Sequence, residues 1–198
     1  MCDSCINDIV SEDPMTCLSC GVMAGAMGLC GRCKPGYTRS WTVGSYHSSL
    51  GEMIKVMKTV GAREGAIVAG KMLARRLSSL PPEVRLVPLP TIAPHKRERG
   101  FDHTYLIARE LARHTGLQID TCLKRRSNTV QRGQTRSERQ RQAATAYTVD
   151  NTCRADVIYL LLDDVVTTGS SMRAAARCLR EAGAKKIWAA SLTRQPLD

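Results

Sequence analysis

"VIYLLLDDVVTTGSS" (Val157–Ser171) sets an unbroken apolar run, two adjacent acids, a double threonine and a Gly-Ser-Ser turn in immediate succession. A short apolar run with no polar interruption reads as a strand buried on both faces, Val157–Leu162, which is the mark of a parallel sheet inside an α/β layer. Ligands of open α/β sheets sit beyond the carboxyl ends of the strands, so Asp163 and Asp164 arrive at that rim as the candidate catalytic carboxylates. The helix expected next, Ser171–Ala182 with Gly183 as its stop signal, opens with unsatisfied N–H groups and the positive end of its dipole. Thr167, Thr168, Ser170 and Ser171 add hydroxyls, and Gly169 permits close backbone approach, so these five are the candidate phosphate-binding residues. A lone helix cap would explain the Thr-Gly-Ser turn alone. The full order suits a sugar phosphate, with phosphate on the turn and ring hydroxyls on the acids.

Outward from this stretch, strands alternate with helices. Trp41–Tyr46 has the alternation of a short strand, and Ser49–Met57 carries Leu50, Met53, Ile54 and Met57 at helical spacing. A further helix is expected over Arg63–Leu77. "PPEVRLVPLP" reads as a short buried strand ending at Pro88. Phe101–His114 is a helix with Leu106, Ile107, Ala108 and Leu111 on one side and Gly116 as its stop. From Lys124 to Gln142 arginine dominates and apolar residues almost vanish, which predicts a mobile loop or a solvated helix. Order resumes at Ala146–Val149, and "KKIWAASLT" supplies the last strand. The pattern is that of a parallel sheet covered by helices on both faces.

"GAIVAGKM" (Gly65–Met72) matches G-x-x-x-x-G-K, the start of a nucleotide-binding P-loop. Met72 stands where that motif needs a hydroxyl for Mg²⁺, and the segment lies within an amphipathic helix rather than after a strand. An NTPase is excluded on both grounds.

The chain has 198 residues, with 29 basic against 18 acidic side chains and a formal net charge of +11. That balance favours anionic partners, phosphates or nucleic acid, without deciding the fold. No stretch approaches the roughly 18 apolar residues of a membrane span, and the start lacks a basic segment followed by an apolar one, so a cytoplasmic protein is expected. Six of the nine cysteines lie in the first 33 residues as Cys-x-x-Cys pairs. Cys17, Cys20, Cys30 and Cys33 form C-x2-C-x9-C-x2-C, the spacing of two knuckles that share a structural Zn²⁺. Cys2 and Cys5 form a third pair that can replace one of the others as ligands. Cys122, Cys153 and Cys178 stand alone and read as small buried hydrophobes. The division expected is a cysteine-rich zinc ribbon over 1–38 and an α/β domain over 39–198.

Taken together, "VIYLLLDDVVTTGSS" resembles the 5-phosphoribosyl-1-pyrophosphate (PRPP) motif of type I phosphoribosyltransferases. With the cysteine pairs, "LVPLP", "RERGFDH" and "TVQRGQTRSERQRQAATAY", nearly the whole chain is similar to the ComF-like competence proteins. Where that family reads Arg-Gly-Phe-Asn-Gln, this chain has Arg99, Gly100, Phe101, Asp102 and His103, and Gln142 stands where Asn is common. The resemblance implies a phosphoribosyltransferase-like sheet preceded by a zinc ribbon, and a pentosyl-transferring enzyme acting on PRPP or ribose 5-phosphate with Mg²⁺. It implies that Asp163 and Asp164 hold the ribose hydroxyls and Thr167–Ser171 the 5-phosphate. It also implies that the loop from Pro88 to Thr91, with Pro90 and Thr91, faces the pyrophosphate, joined by Arg97 and Arg99, whose guanidinium forks suit phosphate oxygens. The process implied is DNA uptake or nucleotide salvage. The alternative is a non-catalytic accessory that uses a relic of this fold to bind single-stranded DNA or a competence helicase, with the basic stretch as its salt-sensitive contact.

Overall fold

The computed structural model describes residues 2–11, 16–47, 49–126 and 146–195. In chain order the elements are α1 (Asp3–Ser11), β1 (Arg39–Ser45), α2 (Ser49–Thr59), α3 (Arg63–Arg76), β2 (Val84–Pro88), α4 (Ala93–Arg99), α5 (His103–Thr115), β3 (Gln118–Ile119), β4 (Leu123–Arg125), β5 (Tyr147–Val149), β6 (Ile158–Val166), α6 (Ser170–Glu181) and β7 (Lys186–Arg194). Five strands form one parallel sheet in the order β1-β7-β6-β2-β3, and β4 and β5 form a separate antiparallel pair.

Period-two alternation along β6 feeds two cores. Ile158, Leu160 and Leu162 point to the face covered by α1, α2, α3 and α5, where they meet Leu50, Ile54, Leu73, Ile107 and Leu111. Tyr159 and Leu161 point to the other face, packed under α6 by Ala175, Ala176 and Leu179. Leu18 and Tyr37 of the cysteine-rich segment belong to this second core. On the outer side of β7, Trp188 meets Trp41 of β1 edge to face at 5.5 Å, with the Arg39 guanidinium over both rings.

Several sequence expectations change in detail. β6 runs on to Val166, so the acid pair lies within the strand rather than beyond it. β7 continues alongside it, pairing Asp163 with Ser191 and Val166 with Arg194. The helix expected from Phe101 begins at His103, because the Asp102 side chain caps it by accepting from the Tyr105 N–H at 3.2 Å. α1, α4, β3 and β4 are additional elements, and the order expected over Ala146–Val149 takes the form of strand β5. Lys124 and Arg125, expected in a loop or solvated helix, are strand residues of β4. The rest of that basic stretch, from 127 to 142, lies outside the described residues.

Gly65 and Gly70 of the P-loop look-alike are packing glycines within α3. A Cβ on Gly70 would sit 2.4 Å from Glu110 Cβ and 2.9 Å from the Ile107 carbonyl oxygen of α5, and one on Gly65 would meet Met57 Cβ at 3.1 Å. The motif exists because α3 crosses its neighbours closely.

Candidate functional site

Two features of the sheet create a cleft. From β2 the chain moves outward to β3 through α5 on one face, and from β6 it moves the opposite way to β7 through α6 on the other face. The seam between β2 and β6 is therefore the switch point at which open α/β sheets bind ligands. The second feature is a length mismatch. β2 stops at Pro88, opposite Leu162, and after the Leu89 N–H donates to the Leu162 carbonyl the chain leaves the sheet. Pro88 and Pro90 lack the N–H groups that continued pairing would need. Asp163–Val166 are thus paired with β7 on one side and open on the β2 side.

The resulting cleft, about 310 Å³, is lined by Asp163, Asp164, Val165 and Ser171, by the loop Leu89–Ile92, and by Lys58, His95, His103, Thr104, Arg125 and Tyr147. Five of the residues singled out from sequence meet here: Asp163, Asp164, Ser171, Pro90 and Thr91. Thr167 and Thr168 are exposed at the head of α6, outside the cleft lining, while Gly169 is buried. Arg97 is exposed on α4, and His95 is the residue of that helix that lines the cleft. Arg99 ends α4.

The two acids sit in different electrostatic surroundings. Asp164 is 3% exposed, and its Oδ2 lies 2.8 Å from Lys58 Nζ and 3.0 Å from His103 Nε2. Burial alone would raise its pKa, but the His103 hydrogen bond and the Lys58 and His103 charges outweigh burial and hold the carboxyl well below the usual range. Its Oδ1 accepts from the Val165 N–H at 2.7 Å. Asp163, on the opposite face, accepts the Asp164 N–H on Oδ1 at 2.9 Å. Desolvation, then the Asp164 charge, push its carboxyl up to about 8. The pair is thus polarised, Asp164 held toward the carboxylate and Asp163 pushed toward the neutral acid.

His103 ties the strand to the loop across the cleft. Its Nδ1 lies 3.4 Å from Thr91 Oγ1, which donates to Asp102 Oδ1 at 3.0 Å. Asp102 and His103, the two departures from the family's Arg-Gly-Phe-Asn-Gln element, are thus the residues that join Thr91 to Asp164. Lys58 was not legible: a lysine in the last turn of α2 is ordinary dipole complementation, and only the crossing of α2 over the end of β6 brings it to the acid. Arg125 and Tyr147, from the two paired strands, close the α6 side, with Arg125 Nη1 donating to the Tyr147 hydroxyl at 3.3 Å.

At the head of α6, Gly169 takes φ +70°, a left-handed conformation that strains any side chain. Thr168 Oγ1 and Ser170 Oγ lie 2.8 Å apart, and Arg173 Nη1 donates to the Thr168 carbonyl at 2.9 Å. The turn is ordered by its own hydroxyls and by one guanidinium.

The sulfurs of Cys17, Cys20, Cys30 and Cys33 all lie within 4.8 Å of one another, with Cys20 and Cys30 at 3.6 Å. Tetrahedral Zn²⁺ with bonds of about 2.3 Å separates its sulfurs by ~3.8 Å, so the group fits zinc. N–H groups of Arg32 and Cys33 directed at Cys30 lower its thiol to about 6, while burial and then the Cys20 sulfur push Cys33 up to about 12, so the four sulfurs' placement, not their acidity, carries the zinc reading. Cys2 and Cys5 stand apart from this group, their sulfurs 3.2 Å from each other at the start of α1. Cys153 is buried and Cys122 and Cys178 partly so.

Residues 102–197 match the model of the phosphoribosyl transferase domain. Those residues are similar to phosphoribosyl transferase domains. The chain's relatives match over most of their length. It is 28% identical over 199 residues to the DNA utilization protein YhgH of Salmonella typhi, covering 94% of this chain and 87% of that one. It is 27% identical over 194 residues to the competence protein ComFC of Bacillus subtilis (strain 168), covering 92% of this chain and 79% of that one. The allosteric regulatory enzyme of purine biosynthesis overlaps it with a TM-score of 0.46 and 18% identity, over 67% of this chain and 26% of that one. The matched residues contain β6, the turn at Gly169 and α6, and the cysteine-rich segment precedes them in sequence. Among the described residues no helix is long and apolar enough to cross a membrane.

Proposed function

We propose that this protein binds PRPP or ribose 5-phosphate in the cleft between β2 and β6 and acts as a phosphoribosyltransferase, with the ribbon over 1–38 as a zinc-stapled appendage to the domain over 39–198. The observation that carries the reading is the convergence of the acid pair, Ser171 at the head of α6 and the Pro90–Thr91 loop on one switch-point cleft. The 5-phosphate takes the turn Thr167–Ser171, where N–H groups, hydroxyls and the helix dipole favour an anion. Asp163 Oδ2 and the remaining lone pairs of Asp164 accept the ribose hydroxyls. Lys58 and His103 keep Asp164 ionised and in place. Pro90 and Thr91 face the pyrophosphate, with Arg97 and Arg99 as further basic contacts and Lys58 and Arg125 supplying positive charge nearer the cleft.

Transfer at the anomeric carbon breaks the bond to pyrophosphate through a cationic, oxocarbenium-like sugar, so the protein's task is to position and to stabilise charge. Mg²⁺ bound with the pyrophosphate would supply charge for its departure, and the carboxylates beside the sugar suit such a hard cation. Titration calorimetry with PRPP and Mg²⁺ tests the reading. The native protein should bind, and the D163N/D164N double variant, folded by circular dichroism, should bind at least about tenfold more weakly, ~1.4 kcal/mol. Equal affinity in the two proteins rejects the site, and pyrophosphate release with a panel of bases then separates transfer from binding.

A second reading draws on the relatives' names and the +11 charge: a salt-sensitive contact with single-stranded DNA or a competence helicase. It predicts DNA affinity that falls steeply between low and physiological salt while PRPP turnover is absent.

A further inference from the structure

We infer that the zinc knuckle Cys17–Cys20 is the back wall of the phosphate turn, with Arg173 as the positioning residue between them, so that zinc occupancy sets how well the turn holds a phosphate. The inference rests on the phosphate reading given above for that turn. Three contacts carry it. Arg173, in the first turn of α6, donates from Nη1 to the Thr168 carbonyl at 2.9 Å and to Ser19 Oγ at 3.5 Å, and from Nη2 to Ser170 Oγ at 3.2 Å. One guanidinium thus spans both shoulders of the turn and Ser19, which lies between Cys17 and Cys20. Gly169 lies directly against the knuckle backbone, since a Cβ there would stand 3.4 Å from the Ser19 carbonyl oxygen and 3.7 Å from Ser19 Cα. The knuckle is anchored from below: Leu18 is fully buried in the core under α6.

A second arginine repeats the contact one strand over. Arg194 ends β7 in register with Val166, the residue that leads into Thr167. It is 9% exposed, and its guanidinium fills the space beside Gly21, where a Cβ would come within 2.2 Å of Nη1. Both ends of the turn's approach therefore abut the segment Ser19–Gly21, whose path is bent around the cysteine sulfurs. Thiolates pulled together by a metal fix that path, and a short cysteine-rich segment without its metal loses it. Losing it withdraws Ser19 from Arg173 and the wall from Gly169, and the guanidinium that joins the Thr168 carbonyl to the Ser170 hydroxyl loses its outer support.

The test uses the full chain, zinc-loaded and after chelation, with ribose 5-phosphate as probe. Calorimetry should show about a tenfold weaker affinity without zinc, ~1.4 kcal/mol. Arg173→Ala should lose as much, Arg173→Lys should recover part of it, and chelation of Arg173→Ala should add nothing further. Hydrogen exchange should show the amides of residues 168–173 exchanging faster without zinc, with those of residues 158–162 unchanged. Losses that add, or a turn whose exchange ignores zinc, overturn the inference. Should the native protein ignore ribose 5-phosphate, the phosphate reading fails while exchange at the turn still decides the coupling. If chelation also frees the amides of residues 158–162, the zinc-loaded Ser19→Ala variant decides: faster exchange confined to the turn supports the coupling, and unchanged exchange overturns it.

Discussion

Strand alternation sends the side chains of Asp163 and Asp164 to opposite faces of the sheet, and each face treats its carboxyl differently. Asp164, with its pKa held low by His103 and Lys58, contributes stability that is present above its unfolded value and is lost as acid titrates the folded group. Asp163, raised to about 8, works in the other direction: the fold prefers its neutral form, so stability falls as pH rises from the unfolded value of ~4 toward 8. Asp163→Asn should therefore raise the melting temperature relative to the native protein, by a margin that grows from pH 5 to pH 8 and then levels off. The gain at the plateau should be at least about 1.4 kcal/mol, the equivalent of one pKa unit. Asp164→Asn should instead lower stability by ~1–3 kcal/mol at pH 7, because His103 and Lys58 lose the carboxylate they surround. Thermal scans of both variants across that pH range check both signs.

At the scale of elements, the close crossing of α3 and α5 depends on Gly70. Gly70→Ala should cost on the order of 1–3 kcal/mol in urea unfolding, since backbone and a buried side chain occupy the space of the new methyl. The central strand, the helix after it and the strands on either side were legible because buried parallel strands and amphipathic helices write their periods into the chain. The acid pair and its turn were legible for the same reason, since strand end, acids and helix start occur in one continuous run. α1 and α4 were not: α1 is only nine residues long, its stripe of Ile6, Ile9 and Val10 standing beside a cysteine pair that reads as metal ligands, and α4 carries mostly charged residues after Pro94. β3 and β4 are two and three residues long, below any readable alternation. Lys58, His103 and Tyr147 were hidden because each reaches the cleft from a different element, and only tertiary packing brings them together.

Across the whole molecule, the ribbon and the sheet share a core, with Leu18 and Tyr37 packed among the residues under α6. Ribbon and sheet should therefore unfold together in calorimetry, as one transition. Chelation should shift that transition down by about 3 kcal/mol, on the order of 10 °C for a chain of this size, rather than leave a second, unchanged melting event. The pairing of Trp41 with Trp188 has its own consequence. These are the chain's two tryptophans, set edge to face at 5.5 Å under the Arg39 guanidinium. Intrinsic fluorescence thus views the molecule through a single window at the outer edge of the sheet, on the seam that joins β1 to β7. A spectral shift on titration would signal that the surroundings of this seam have changed, since neither indole lines the cleft itself.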